Sequence, residues 1–546
     1  MLYFIPAWYQ QNEWRENEQY WYARRMHTEF DDTVKHIQLF HRSKAHPFKI
    51  MLLSFAPNFR HFLHRQSVFR APYWSCFDAI QEVKRKKVSM FSLHNLNWPE
   101  HIEFIYSPFV LIAQLHGKKY AQVDFGEDGN PIQVDIYQDE VLHRRNIYDD
   151  RGFVSSTIVY ENAQPLYQDY LTDTGVWKIR HFLRDGHVEV NPKNPTFLLS
   201  YQEREYQKEF SKASYTNLQE IIREVLTAYL ELTDAQDMFC VAVHDLHKDM
   251  LRDVLKNRKM ILSFFGERYD IKNRMEEIIH MIQEAHYIIT DSQDNLKRIQ
   301  RRVEKELTNI TDITPFDSRV DLGISQQLNV QKILVPIDGM EDERFEELIC
   351  HLGEYLPENE NARIHLFTRV ADYGRPKALL EKVRGFLKNA GMPEEWAVEE
   401  KKGVVAENAL DAEEAVQVKF FAEQCVDELS VSKCIREQRL ILDMRKTSEL
   451  YLRITGISMG IPQVVYRNTE FVEDGKNGLV LKELDGIKDA LSFYLDNLTN
   501  WNEAMVYAYE LGKKYTTAVL IEKWKEVINI VGNDSGITAG NGRLEN

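Results

Sequence analysis

The sequence predicts an α/β fold: two doubly wound, Rossmann-type domains facing a cleft, with an extended antiparallel β-meander inserted into the first. Three observations carry this reading. Short apolar runs alternate with helix-period segments over residues 1–107, polarity then alternates between turn clusters over 108–200, and the α/β rhythm returns after 201 and again after 321. At 546 residues the chain also exceeds what one core organises, at about 150 residues per unit.

Taken in order, residues 2–6, 30–40, 50–55 and 59–68 read as strand, helix, strand and helix, the opening of a parallel sheet. Turn clusters at 126–130, 149–152, 172–175 and 184–186 then separate short two-period runs, the signature of antiparallel pairing. Leu218, Ile221, Ile222, Val225, Leu226 and Tyr229 form a helical stripe, and the apolar runs 238–243, 260–265 and 287–289 complete the first sheet over 201–320. Pro, Gly and charge without period at 314–323 mark a connection. Strands are expected at 333–337, 364–368, 396–398, 440–443 and 463–466, and helices over 484–498, 501–515 and 520–531, all within a second domain of 321–531. The Gly/Asn/Ser-rich residues 532–546 read as a disordered tail.

Composition excludes several function classes. A formal net charge of −16 opposes general affinity for nucleic acid or anionic lipid. The one basic run, Lys84-Arg-Lys-Lys87, reads as the solvated end of a helix begun near Asp78. Five cysteines without a Cys-x-x-Cys pair suggest no disulfide framework and fit a reducing cytoplasm. The amino terminus lacks a secretory n-region and h-region. The apolar run 104–115 is broken by Ser107, Pro108 and Gln114, so a soluble or at most peripheral protein is expected.

The stretch 444–465 carries the chemical argument. Met459-Gly-Ile-Pro462, the strand after it and Phe471-Val-Glu-Asp-Gly-Lys-Asn-Gly-Leu-Val480 resemble the donor site of retaining GT-B glycosyltransferases, and two facing α/β domains with terminal helices resemble their architecture. A leaving nucleoside diphosphate calls for a glycine-lined helix amino terminus and basic residues, while carboxylates hold the sugar and ribose hydroxyls. Counted back from Gly460, the two acidic positions of that pattern fall on Thr447 and Thr455, which cannot ionise. Ser448-Glu449-Leu450 replaces the glycine turn, and Glu449 would repel a diphosphate. Pro6-Ala-Trp-Tyr9 adds bulk after the first strand, and Asp338-Gly-Met-Glu-Asp-Glu343 is acidic where a basic pair belongs. Thr447, Ser448, Glu449, Thr455 and Gly460 are therefore read as vestigial donor-site positions, with no catalytic residue and no cofactor. Leu450, Ile454, Ile457 and Ile461 form a buried stripe, and Thr447 or Ser448 is expected to cap their helix.

A closer resemblance spans most of the chain. Tyr3-Phe-Ile-Pro-Ala-Trp-Tyr9, Phe30-Asp-Asp-Thr33, Asn58-Phe-Arg-His-Phe-Leu-His-Arg65, Trp74-Ser-Cys-Phe-Asp78 and Ile454-Thr-Gly-Ile-Ser-Met-Gly-Ile-Pro-Gln463 resemble the first of the three accessory secretion proteins of the Gram-positive accessory Sec system. The resemblance implies a cytoplasmic, catalytically silent GT-B protein. It also implies partners: the second and third accessory secretion proteins, a glycosylated serine-rich-repeat adhesin as cargo, and an accessory SecA-type motor. The alternative is an active transferase that uses a nucleotide sugar to modify Ser/Thr-rich protein or glycan; a third reading is a lectin-like cleft holding glycans.

Other constellations weigh less. His36, His41, His46, His61 and His64 cluster without a carboxylate or cysteine at ligand spacing, and Val243-His-Asp-Leu-His247 has the wrong spacing for a zinc protease, so no metal site is assigned. Trp8, Tyr9, Trp14, Tyr20, Trp21 and Tyr22 read as packing around the first strand, with a stacking surface as the other option. The meander, with a free face and free edges, is the better candidate for protein contact, with structural bulk as the other reading.

Overall fold

The computed structural model describes all residues except 11, 17–29, 90, 127–128, 304–306, 320, 398–417 and 534–546. Tyr20, Trp21, Tyr22 and most of the 532–546 tail therefore lie outside the described residues. The first unit is a seven-stranded parallel sheet. Leu2–Ile5 lies inside it, with Phe48–Leu52 and Tyr73–Ser75 on one side and Met238–Ala242, Lys259–Phe264, Tyr287–Thr290 and Ile310–Asp312 on the other. Leu2 is in register with both Phe48 and Met238. All four residues of the first strand are buried, as a strand covered on both faces requires.

Between those two halves sits a ten-stranded antiparallel sheet running from Ile102–Tyr106 to Ser214–Tyr215, with a separate hairpin of Thr196–Tyr201 and Arg204–Glu209. Two-residue turns of the sheet, Asp139-Glu140 (φ 48° and 64°) and Asn162-Ala163 (51° and 62°), and the turn of the separate hairpin, Gln202-Glu203 (48° and 62°), hold non-glycine residues in the left-handed region. That conformation matches the strand twist but normally recruits Gly or Asn, so these turns carry little compositional signal. The sheet is anchored to the first unit by Gln81, whose amide donates to the Ser155 and Leu171 carbonyls at 2.7 and 2.6 Å, and by Arg151, whose guanidinium grips Asp78 at 2.9 and 2.8 Å. The 84–87 run is not a helix end. Helix Cys76–Ile80 stops before it, and the Lys84 and Arg85 backbone N–H groups reach Asp173.

The second unit is a six-stranded parallel sheet in the order Phe420–Gln424, Ala362–Thr368, Gln331–Pro336, Gln438–Asp443, Gln463–Val465, Gly478–Val480. The strand expected at 396–398 is replaced: Glu394–Ala397 is a 3-10 turn, Val398 lies outside the described residues, and the outer strand is Phe420–Gln424. Three apolar residues cannot distinguish a strand from a tight turn without a flanking breaker. Helices Ile487–Leu495 and Leu498–Gly512 pack on this unit. Helix Thr517–Asn533, which the sequence groups with them, runs back to the first unit, where Leu520, Trp524, Val527 and Val531 share a core with Phe4, Ile37, Phe40 and Ile50. Among the described residues no helix is long and apolar enough to cross a membrane.

Candidate functional site

The two units face each other across a cleft at the carboxyl ends of their strands, where ligands enter open α/β sheets. One cavity of about 630 Å³ is lined from the first unit by Gly266, Asp291, Ser292 and Asn295 and from the second by Lys446, Thr447, Ser448, Glu449 and Arg453. A neighbouring cavity of about 600 Å³ shares Phe265, Glu449 and Leu450 and adds Trp8, Tyr9, Asp31, Arg268, Asp338, Arg369 and Arg445.

The sequence-singled positions separate in space. Thr447, Ser448 and Glu449 stand together in the cleft, just before helix Leu450–Ser458. Thr455 is buried and faces a different cavity with Ile454, Ser458 and Met459. Gly460 ends the helix at φ +67°, and a Cβ there would come within 2.8 Å of Met505 Cγ, so it serves the packing of helix Leu498–Gly512. The expected cap is also corrected. Glu449 occupies the N-cap position in extended conformation without a side-chain capping bond, and neither Thr447 nor Ser448 caps.

Glu449 does not cap because its carboxylate is engaged by Arg369, whose guanidinium lies 3.7 Å from the Phe30 ring centroid. Two other cleft arginines of this unit, Arg445 and Arg453, are engaged too. Arg445 forks onto Asp443 at 2.8 and 2.9 Å, and Arg453 reaches the same carboxylate at 2.8 Å and Gln463 at 3.2 Å. Asp338, in the acidic turn, accepts from Thr368 Oγ1 at 2.7 Å and from the Arg369 backbone N–H at 2.6 Å, and Lys446 pairs with Glu341 at 2.8 Å. Sequence reading found the acidic turn and missed these cations, because Arg369 follows strand Ala362–Thr368 while Arg445 and Arg453 follow strand Gln438–Asp443, and only the fold gathers them.

The first-unit wall is built the same way. Trp8 Nε1 donates to Asp31 Oδ1 at 2.9 Å, Ser263 Oγ donates to Asp32 Oδ2 at 2.6 Å, and Arg268 spans Asp31, Asp32 and the Ser263 and Val243 carbonyls. Burial and the Asp32 charge push the Asp31 carboxyl up to about 6. Burial also works upward on Asp32, but Arg268 and the Ser263 hydroxyl hold it down at about 2. The bulky turn after the first strand is structural: Tyr9 donates to His247 Nδ1 at 2.8 Å, and His247 Nε2 donates to the Ala242 carbonyl at 2.8 Å, so both ring nitrogens are taken. Burial drops the His247 imidazole to about 3.

Residues 1–530 match the family model described as accessory Sec system protein 1. A protein of that name from Streptococcus gordonii is 32% identical over 532 residues, covering 96% of this chain and 98% of that protein. Among solved structures, a chain of the crystal structure of accessory secretory protein 1, 2 and 3 in Streptococcus pneumoniae superposes with a TM-score of 0.77 at 29% identity, over 98% of this chain and 100% of that one. The pneumococcal O-GlcNAc transferase GtfA, solved with UDP and GlcNAc, superposes with a TM-score of 0.69 at 12% identity, over 98% and 99% of the two chains. That likeness is one of fold, the GT-B glycosyltransferase type.

Proposed function

Because this chain belongs to the accessory Sec system protein 1 family, we propose that it is a non-enzymatic component of an accessory Sec export complex, a GT-B scaffold with a retired donor site. The observation that carries this reading is that Arg369, Arg445 and Arg453 of the cleft are engaged by the chain's own carboxylates. Glu449 engages Arg369 beside the helix amino terminus, where a donor diphosphate would bind, and Asp443 engages Arg445 and Arg453. Thr447 offers a hydroxyl in the cleft where a charge-assisted acceptor is needed, and Thr455, at the other acidic position of the motif, faces a different cavity. The five positions Thr447, Ser448, Glu449, Thr455 and Gly460 are on this reading relics that now serve packing and internal pairing.

Donor titration tests the retired site. By calorimetry the parent chain is expected to show no UDP-sugar binding tighter than millimolar. Glu449→Gln, which frees Arg369, is expected to bind UDP about tenfold more tightly than the parent, the worth of one charge-assisted bond of ~1.5 kcal/mol, still without turnover. Sugar transfer by the parent chain would reinstate an enzyme and sink the proposal.

The partners we infer are the second and third accessory secretion proteins, supported by the pneumococcal crystal that contains proteins 1, 2 and 3. A glycosylated serine-rich-repeat adhesin as cargo and a SecA-type motor as its destination rest on the family resemblance, as does a cytoplasmic location with at most peripheral membrane contact. The inserted sheet offers a contact: its end strand Ile102–Tyr106 and the following turn leave Ile105, Tyr106 and Phe109 exposed at 46, 67 and 55%. Tyr106→Ser with Phe109→Ser is expected to weaken co-purification with the sister proteins at least about tenfold while the fold is kept. A folded parent chain that ignores both sister proteins would overturn the adaptor role.

A further inference from the structure

Strand Phe420–Gln424 forms the outer edge of the second sheet. Glu423 and, two residues on, Cys425 fall on one face by the strand period, and helix Glu428–Arg436 returns to bring Cys434 against them. The carboxylate and the two sulfurs all lie within 4.8 Å of one another. Both thiols are free and buried, set among Phe367, Val431 and Ile435. A tetrahedral zinc site with metal–sulfur bonds of ~2.3 Å places its sulfurs ~3.8 Å apart, so these donors need to close by only about 1 Å.

Two further groups point at the cluster. His365, on the neighbouring strand in register with Phe421, is 9% exposed; its Nδ1 is buried without a hydrogen-bond partner and lies 4.0 Å from Glu423 Oε2. Its ring is held by stacking on Phe421, with centroids 5.2 Å apart. Gln438, 1% exposed, donates from Nε2 to the Cys434 carbonyl at 2.9 Å and approaches Cys434 Sγ at 3.9 Å, while its Oε1 has no partner. Buried polar atoms without partners are costly, and a cation at this point would satisfy His365 Nδ1.

We propose that Glu423, Cys425, Cys434 and His365 form a structural binding site for one zinc-class divalent cation, with Gln438 orienting Cys434. Two sulfur donors select zinc and its borderline-soft neighbours over magnesium or calcium. Four protein donors leave no open position, so the site fastens helix Glu428–Arg436 to the sheet edge and performs no reaction. Zinc-class cations take cysteine as the thiolate, so binding is expected to release thiol protons to solvent. Glu428, at the start of the same helix, pairs with Lys35 of the first unit. The cation therefore also sets an interdomain contact, and the inference is independent of the export role.

The test uses the full chain, reduced and loaded with Co²⁺ as the probe. The expected result is one equivalent of tetrahedral cobalt with a thiolate-to-metal charge-transfer band, displaced by Zn²⁺. Cys425→Ser and Cys434→Ser each abolish the band, Gln438→Ala weakens binding about 10–100-fold, and Cys350→Ser, on helix Asp342–Tyr355, leaves it unchanged. If a serine variant fails to fold, the parent decides: chelation must expose Cys425 and Cys434, and no other cysteine, to alkylation. Absence of a stoichiometric thiolate band, or a band that survives both serine variants, would overturn the site.

Discussion

Asp443→Ala is expected to cost the second unit about 3–5 kcal/mol, because it strands two buried guanidiniums without their counter-ion. Asp443 is fully buried and is the shared acceptor of Arg445 and Arg453, the latter itself 2% exposed. The pH dependence follows from the same triad. Burial pushes the Asp443 carboxyl up, but Arg445 and Arg453 outweigh it and hold the folded value below the usual carboxylate range of ~3.9. The ion pairs thus stabilise the fold fully above the unfolded-state value, and that stability is lost as pH falls through the lower, folded one. Asp443→Asn is expected to be less stable near neutrality and to lose this acid dependence below pH ~4. Hydrogen exchange in strand Gln438–Asp443 reads the effect locally, as a chain of several units requires. Unchanged protection in Asp443→Ala would show that the arginines find other acceptors.

Trp524→Ala is expected to cost about 3–5 kcal/mol at the other end of the molecule, the usual penalty for emptying a large aromatic site. The indole is 1% exposed and meets Phe4, His36 and Phe40 edge to face at 5.9, 5.0 and 5.2 Å. Its loss is expected to release helix Thr517–Asn533 from the first unit while exchange in the second sheet stays unchanged, because the sites share no partners. Limited proteolysis around 513–517 checks this. Resistance equal to the parent chain would place the anchor elsewhere on the helix.

The α/β rhythm was readable because fully buried parallel strands such as Leu2–Ile5 and Met238–Ala242 are unbroken apolar runs between helical stripes. Turns built from Asp139-Glu140 or Gln202-Glu203 left no such mark, since the surrounding sheet imposes their left-handed backbone. At the cleft, sequence spacing identified Thr447, Ser448 and Glu449 as neighbours of a helix start, but their local composition suggested a hydroxyl cap. The competing ion pair with Arg369, eighty residues away, decides what Glu449 does. Thr455 and Gly460 belong to the same motif in one dimension and to different surfaces in three, because two helical turns carry them away from the cleft. Cys425 and Cys434 are unremarkable in sequence for the same reason: a strand end and a helix bring them together.

Helix Thr517–Asn533 closes over the face of the sheet that carries Phe4, in the strand Leu2–Ile5. On a ribosome the two are separated by roughly 500 residues of synthesis, or about half a minute to two minutes at ~5–20 residues per second. During that interval Phe4, Phe40 and Phe48 have no lid, and the amino-terminal unit waits as a sticky, unfinished intermediate. Nascent chains of this protein should therefore need chaperone cover until translation is nearly over, and a ribosome that stalls before residue 517 should yield an aggregation-prone fragment rather than a folded first unit.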